Sequence, residues 1–224
     1  MSRSRLGRAS ATFAESITTL LNSTVADGAS VRTAASAGAY SLVATDARRN
    51  APNGGPIHLR SAGRASLWID LKAFLFEDEA GYLTIQKSTW SVLSGPGKHD
   101  VILHYDYERG KEGYPEAHLQ LFCEQPDLQA YLEAVGRKRS RMQHLHLPVG
   151  GRRFRPALED LIEFLIDERL VEAKPNSKQT LERSRAAYQD IQLLAAVRRR
   201  PDKAAQGLLD LGYKLEEPAA SRVG

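Results

Sequence analysis

The sequence is poor in cysteine, since Cys123 is the only one among 224 residues. A single thiol excludes an intramolecular disulfide, a zinc site built on cysteines and a CxxC redox pair. Because Cys123 alternates with Leu119 and Leu121 along a predicted strand, we expect its side chain to be buried and inert.

Long apolar runs are missing as well. No stretch approaches the roughly 20 apolar residues that a membrane-spanning helix needs, and the arginine-bearing N-terminus has no apolar segment of the signal-peptide kind. No GxxxxGK[ST] phosphate loop is present. A hydrophobic content of 42% excludes wholesale disorder. We therefore expect a cytoplasmic globular protein with no membrane contact.

Positive charge is concentrated in one segment of the chain. The sequence has 31 Lys and Arg against 27 Asp and Glu, a formal net charge of +4. Residues 137–155 hold seven basic side chains and no acidic one; without these seven, 24 basic residues remain against 27 acidic ones. The arginines of the segment are Arg137, Arg139, Arg141, Arg152, Arg153 and Arg155. Such a segment predicts a contact with a phosphate-rich or acidic partner at one place.

Periodicity predicts an α+β protein, an antiparallel meander of about five strands flanked by an N-terminal helix and three C-terminal helices. The five strands are expected at 65–76, 82–93, 100–108, 116–123 and 142–148. Hairpin-length links join the first four strands. We predict an N-terminal helical element at 1–50, the sheet with its closing helix at 51–173, a C-terminal helical appendage at 174–215 and a tail at 216–224.

Histidines gather in or beside the last three predicted strands, which hold five of the six. Because side chains alternate along a strand, His104 and Asp106 share one face of their strand. His118 lies on the polar side of the next strand. His144 and His146 are expected to share a face of the 142–148 strand.

The register of the hairpin decides how close these side chains come. One register has three opposed pairs: Glu108–Glu116, Asp106–His118 and His104–Gln120. Directly opposed residues have Cβ atoms about 4.5–5.5 Å apart, so Asp106 would orient the imidazole of His118. The two glutamates repel each other in this register. A shift by two residues keeps both faces intact, so both registers stay open.

Imidazoles beside a carboxylate can transfer protons or bind a divalent metal. Three interpretations therefore stay open: a solvated sheet face, a nucleic-acid or phosphate site, and a metal site. Histidine enrichment favours a site, because Lys, Thr and Glu are the usual residues of a solvated face. The candidate catalytic residues are His104, Asp106, His118, His144 and His146, with the arginines of 137–155 as phosphate ligands. We predict no cofactor, and a divalent metal is the remaining option.

The run HYDYERGKEGYPEAHLQL, the later HLHLP and then RPALEDLIEFL resemble small toxins of bacterial toxin–antitoxin pairs of the TumE type. The likeness covers about residues 99–170, and this chain adds helical parts at both ends. The resemblance implies binding of nucleic acid with toxin-like phosphodiester cleavage. It also implies an antitoxin-like protein as a partner.

We therefore expect binding of RNA, or of another phosphate-bearing partner such as a DNA backbone, at the arginine-flanked His144-x-His146 strand. Metal-independent cleavage there would use His118 or His104 as the base and Asp106 as the group that orients it. The alternative is a non-catalytic interaction protein. In that alternative the polar sheet face is only solvated, and the helices bind a protein partner.

Overall fold

The computed structural model describes residues 5–35, 40–45, 55–61, 66–79, 81–97, 99–150 and 156–216. Five α-helices lie within these ranges: α1 (Arg5–Thr24), α2 (Pro126–Ala134), α3 (Leu158–Asp167), α4 (Ser177–Arg199) and α5 (Pro201–Asp210). No helix of this part of the chain is both long and apolar enough to span a membrane. The chain divides into two compact units between Glu182 and Arg183. The domain boundaries predicted near residues 50 and 173 stay predictions.

Eight strands of the described ranges form one antiparallel sheet: β1 (Arg32–Ala35), β2 (Ser41–Ala44), β3 (Ile57–His58), β4 (Trp68–Glu77), β5 (Leu83–Leu93), β6 (Val101–Glu108), β7 (Ala117–Leu121) and β8 (Leu147–Pro148). The strand order is β1, β2, β4, β5, β6, β7, β8, and β3 also pairs with β4. From β4 to β8 each strand pairs with the next one along the chain. The α+β prediction, with sequential antiparallel strands between an N-terminal helix and C-terminal helices, is confirmed.

The sheet extends further at its N-terminal edge than the sequence predicts. The strands β1 and β2 have the sequences RTAA and SLVA, and these small side chains give no clear two-residue period. Backbone pairing holds them in place, since Ser41–Ala44 pairs with residues 72–75 of β4. The N-terminal segment thus adds strands as well as a helix.

The strand predicted at 142–148 is wrong over most of its length. Met142–His144 form a 3-10 turn, and only the two residues of β8 pair with β7. The five-residue β7 gives β8 only two pairing partners, His118 and Leu119. β7 continues through Gln120 and Leu121, but the 3-10 turn takes the preceding segment off the ladder, and the Gln120 side chain donates to the carbonyl of Gln143 instead.

Cys123 is exposed, which contradicts its predicted burial. β7 ends at Leu121, so the alternation with Leu119 and Leu121 no longer predicts on which face the side chain of Cys123 lies. Residues beyond that point leave the sheet, so strand parity no longer places their side chains.

The apolar core lies on one face of the sheet, against α1 and α3. Buried side chains recur along α1 at helical spacing, alternate along β4 and line one side of α3. The central members are Ile17, Leu21, Ile69, Leu71, Leu75, Leu161, Ile162 and Leu165. Full burial of such a side chain contributes roughly 1.5–3 kcal/mol. Tyr105 of β6 packs against this core, which leaves the other face of β6 to His104 and Asp106.

Candidate functional site

The register of β6 and β7 places Asp106 opposite His118 and His104 opposite Gln120. At the hairpin end, the backbone N–H of Glu108 donates to the carbonyl of the residue opposite at 2.8 Å. The first of the two registers left open by the sequence is therefore the one found. It brings a carboxylate and two imidazoles of two neighbouring strands onto one surface.

The two glutamates of this hairpin are accommodated because each has its own partners. The carboxylate of Glu108 contacts Lys87 Nζ at 3.0 Å and Lys111 Nζ at 3.4 Å. The hydrogen bond from Lys87, followed by the one from Lys111, holds the pKa of Glu108 below its usual value. Glu116 Oε1 accepts a hydrogen bond from the backbone N–H of Gly110 at 2.6 Å. Local pairing thus removes the repulsion expected from the sequence.

His104 is held between two acceptors. Its Nε2 lies 2.6 Å from Gln120 Oε1 and 3.2 Å from Asp106 Oδ2. Gln120 is itself oriented, because its Nε2 donates to the carbonyl of Gln143 at 2.8 Å. Two facing acceptors mean that His104 Nε2 carries a hydrogen. A chain of hydrogen bonds therefore connects the 3-10 turn to β7 and β6.

His118 is buried beside Asp106. Because a carbonyl only accepts, His118 Nδ1 donates to the carbonyl of Pro115 at 3.0 Å, which fixes the ring. Its Nε2 lies 3.7 Å from Asp106 Oδ2. Asp106 Oδ1 is buried and has no hydrogen-bond partner among the described residues. The oxygen shared by the two imidazoles is therefore Oδ2.

The link between β6 and β7 covers His118. The ring of Tyr114, in this link, stacks on His146 with centroids 4.2 Å apart and planes 13° apart. Both rings also meet His118 edge to face, at 5.0 Å from Tyr114 and 4.6 Å from His146. Lys111 Nζ lies 5.0 Å from the centre of the Tyr114 ring. Aromatic rings thus shield the imidazole of His118 from water. We call His104, Asp106, Tyr114, His118 and His146 the histidine cluster.

His146 has a shifted pKa within the histidine cluster. Burial is the largest cause and lowers the pKa, and electrostatic interaction with His118 and with Arg137 lowers it further, against an opposing effect of Asp106. The residue nevertheless keeps part of its surface exposed. A partly exposed imidazole with a lowered pKa is neutral at physiological pH and can accept a proton.

His144 and His146 are not aligned by a strand, contrary to the prediction. His144 ends the 3-10 turn, where successive side chains do not follow the two-residue period. Its Nδ1 is buried and has no hydrogen-bond partner in the described ranges. His146 reaches the histidine cluster for a different reason, since it lies two residues before Pro148, which pairs with His118.

The basic segment contributes one residue that acts directly on the histidine cluster. Arg137 Nη2 donates to the carbonyl of His144 at 3.4 Å, and its charge is one cause of the lowered pKa of His146. Arg139 and Arg141 are exposed on the same segment. The other three predicted phosphate ligands, Arg152, Arg153 and Arg155, lie outside the described residues.

Tyr114 and Lys111 are members of the site that sequence analysis missed. The stretch RGKEGYP (109–115) falls in the predicted hairpin-length link between the strands at 100–108 and 116–123. An aromatic residue beside Pro115 was the available signal, but nothing in the spacing indicates that the link folds back over His118. Only the closed hairpin brings Tyr114 onto that ring.

The part of the chain that the structure describes contains no group of three or more His, Cys, Asp or Glu placed to hold a metal ion. Within the histidine cluster, His118 Nδ1 and His104 Nε2 are turned toward oxygen acceptors. The arrangement of these residues supports proton transfer and anion binding by side chains.

Comparison with protein-family models, with curated proteins and with solved structures finds no match to this chain. The resemblance to TumE-type toxins depends on short motifs and stays a prediction. Two of these motifs do meet in space: HYDY (104–107) lies on β6, and HLHLP (144–148) ends in β8 with His146 against His118.

Proposed function

We propose that this protein binds RNA at the histidine cluster and cleaves a phosphodiester bond there, with His146 as the proton acceptor. One observation carries the proposal: the partly exposed imidazole of His146 stacks on Tyr114 and meets edge to face the buried His118, whose Nε2 lies 3.7 Å from Asp106 Oδ2. A merely solvated face has no need to shield a histidine or to lower its pKa.

Each accessible residue has a role that follows from its contacts. His146 Nδ1 or Nε2 takes a proton from the attacking group. Arg137 and Lys111 flank the rings and supply positive charge for the phosphate oxygens. Burial of His118 means that it positions His146 by ring contact rather than touching RNA. Asp106 and Gln120 fix His104 in turn.

A histidine base suits a substrate that carries its own nucleophile. RNA has a 2′-hydroxyl next to each phosphate, and DNA lacks it. In the proposed step the 2′-hydroxyl proton passes to His146, and the 2′-oxygen bonds to phosphorus. The bond from phosphorus to the 5′-oxygen breaks, and that oxygen takes a proton from a water molecule. The proton held on His146 then neutralises the resulting hydroxide, which restores the base. The products are a 2′,3′-cyclic phosphate and a free 5′-hydroxyl.

The alternative, an interaction module with a solvated face, is favoured by a different observation. Large apolar side chains are exposed on α4 and α5. These helices are not part of the histidine cluster, so a protein contact there and an RNA site on the sheet do not exclude each other.

Cleavage is tested with a short single-stranded RNA, in the presence of a chelator, and with the DNA of the same sequence. We expect the wild-type protein to cut RNA only, and His146→Ala to lower the rate by about 100-fold or more. His99→Ala removes an exposed histidine from a turn outside the cluster and should leave the rate unchanged. A wild-type protein that cuts neither strand, with or without divalent metal, would remove the catalytic part of the proposal.

Binding is tested by fluorescence anisotropy with the same RNA over a range of salt concentrations. We expect affinity to fall steeply as salt rises, and Arg137→Ala to weaken binding and reduce that salt dependence. Arg32→Ala is the matched control, because β1 lies at the opposite edge of the sheet. Equal affinity of the wild type and Arg137→Ala would contradict the binding part as well.

A further inference from the structure

The second compact unit has no core of its own in its described part. None of the residues 183–216 is buried. The same stretch exposes large apolar side chains by 40% or more of their surface: Ile191, Leu193, Leu194, Val197, Leu208, Leu209, Leu211, Tyr213 and Leu215. A segment this short cannot bury a stable core alone, and clustered exposed apolar side chains mark an interaction surface.

One face of α4 concentrates this apolar surface. At 100° per residue, Ile191 and Val197 each lie about 60° from Leu194, on opposite sides of it, so the three span about 120° of the helix. Asp190, four residues before Leu194, and Arg198, four residues after it, lie about 40° from Leu194 and so within the same face, one toward each end. The face is therefore apolar in the middle, acidic toward one end and basic toward the other.

We propose that this face binds a second copy of the chain, with the two α4 helices antiparallel around Leu194. A two-fold axis at Leu194 puts Ile191 of one copy at the level of Val197 of the other. The same axis brings Asp190 of each copy to the level of Arg198 of the other, so that both ends carry opposite charges. Closed two-fold interfaces have this self-complementary character.

The apolar area approaches that of a stable dimer only when the whole second unit contributes. A half-exposed leucine-sized side chain presents roughly 100 Å² to water, so the three side chains of the α4 face present on the order of 300 Å² per copy, and the six other exposed apolar side chains of residues 183–216 raise the total to on the order of 900 Å². Specific interfaces of standard size bury about 800 Å² per partner. The dimer also gives α5 something to pack on. A ten-residue helix containing Gly207 is marginal in water without such support.

The mass of the full chain in solution, from sedimentation equilibrium across the micromolar range, tests the proposal. We expect a dimer for the wild type and a monomer for Leu194→Glu, with the dissociation constant raised on the order of 100-fold or more. Gln189→Glu adds the same charge on the opposite side of α4 and should stay dimeric. Circular dichroism checks that the helices persist in each variant.

Charge-reversal variants distinguish the loss of a contact between two copies from a loss of folding. Asp190→Arg and Arg198→Asp should each weaken the dimer by about tenfold, because like charges then meet across the axis. The double variant should recover most of the wild-type affinity. A wild-type chain that is monomeric at every concentration overturns the proposal, and so does a dimer that tolerates Leu194→Glu.

Discussion

Two halves of one polar sheet face can be compared directly, because β4, β5, β6 and β7 are consecutive neighbours. Around β4 and β5, Lys72 contacts Asp70 at 3.1 Å, and Lys87 contacts Glu108, the last residue of β6, at 3.0 Å. Both lysine side chains are about half exposed, and Asp70 is 18% exposed. On β6 and β7, the side chains of Asp106 and His118 are 22% and 4% exposed.

The difference between the halves comes from what covers them. The half with Lys72 and Lys87, called the lysine half, carries ion pairs in contact with water, and such pairs contribute little to stability. In the other half, called the histidine half, two rings cover the imidazole of His118. They belong to Tyr114, in the β6–β7 link, and to His146, in the segment before β8. Polar composition is common to both halves. The carboxylates Asp70 and Asp106 are about equally exposed, at 18% and 22%, so the burial of the His118 imidazole under two rings is what makes the second half a candidate site.

Removal of one carboxylate charge is expected to give the largest difference between the halves, in both RNA cleavage and stability. Asp106→Asn removes the negative charge that faces His104 and His118 and puts an amide N–H₂ in place of one carboxylate oxygen, so RNA cleavage should fall by about 100-fold and stability by about 1–3 kcal/mol. Glu108→Gln makes the same chemical change two residues along the strand, among exposed lysines. Cleavage rates and urea unfolding of the two variants measure the contrast. Equal losses in both would mean that the covered half is not special.

An intermediate effect is expected in the pH dependence of cleavage. The base must be neutral, so activity falls as pH decreases through the pKa of His146. Because that pKa is lowered, the acid limb should lie below about 6.5, the usual value for histidine. Arg137→Gln removes one positive charge that lowers it, so the limb should move to higher pH. Lys72→Gln, in the lysine half, should leave the pH of the acid limb unchanged. A shifted limb in that variant would mean that the lowered pKa of His146 does not come from nearby charges alone.

The smallest effect is expected in acid stability of the lysine half. Glu108 has a lowered pKa in the folded protein, so its pairs stabilise the fold above the unfolded value of about 4.3. That contribution is lost as pH falls through the lowered folded value. Glu108→Gln should flatten the stability–pH curve there by less than about 1 kcal/mol, because the pairs are exposed. Urea unfolding from pH 3 to pH 7 measures it, and an unchanged curve would mean that the pairs do not stabilise the fold.

Strand parity made much of the polar face predictable. Alternation along β6 and β7 assigns His104, Asp106 and His118 to one surface whatever the register, since a shift by two preserves the faces. The choice between registers was not available, because the partners of Glu108 and Glu116 that make their proximity tolerable come from Lys87, Lys111 and the backbone of Gly110.

The segment before β8 shows where parity fails. His144 and His146 look like two residues of one strand, but a 3-10 turn forms at Met142–His144, and only Leu147 and Pro148 pair with β7. An alternating stretch becomes a strand only where the surrounding fold lays its backbone along a partner strand. No local pattern in residues 142–148 carries that information.

The sequence by itself determined the α+β class, the sequential antiparallel strands, the concentration of charge in residues 137–155 and the face on which His104, Asp106 and His118 lie. Periodicity suffices for these, because it records which side of each element is apolar. Tertiary structure alone decided that Tyr114 and His146 close over His118, and that burial and Arg137 lower the pKa of His146. Shielding from water depends on distant parts of the chain meeting, and that meeting is a property of the fold.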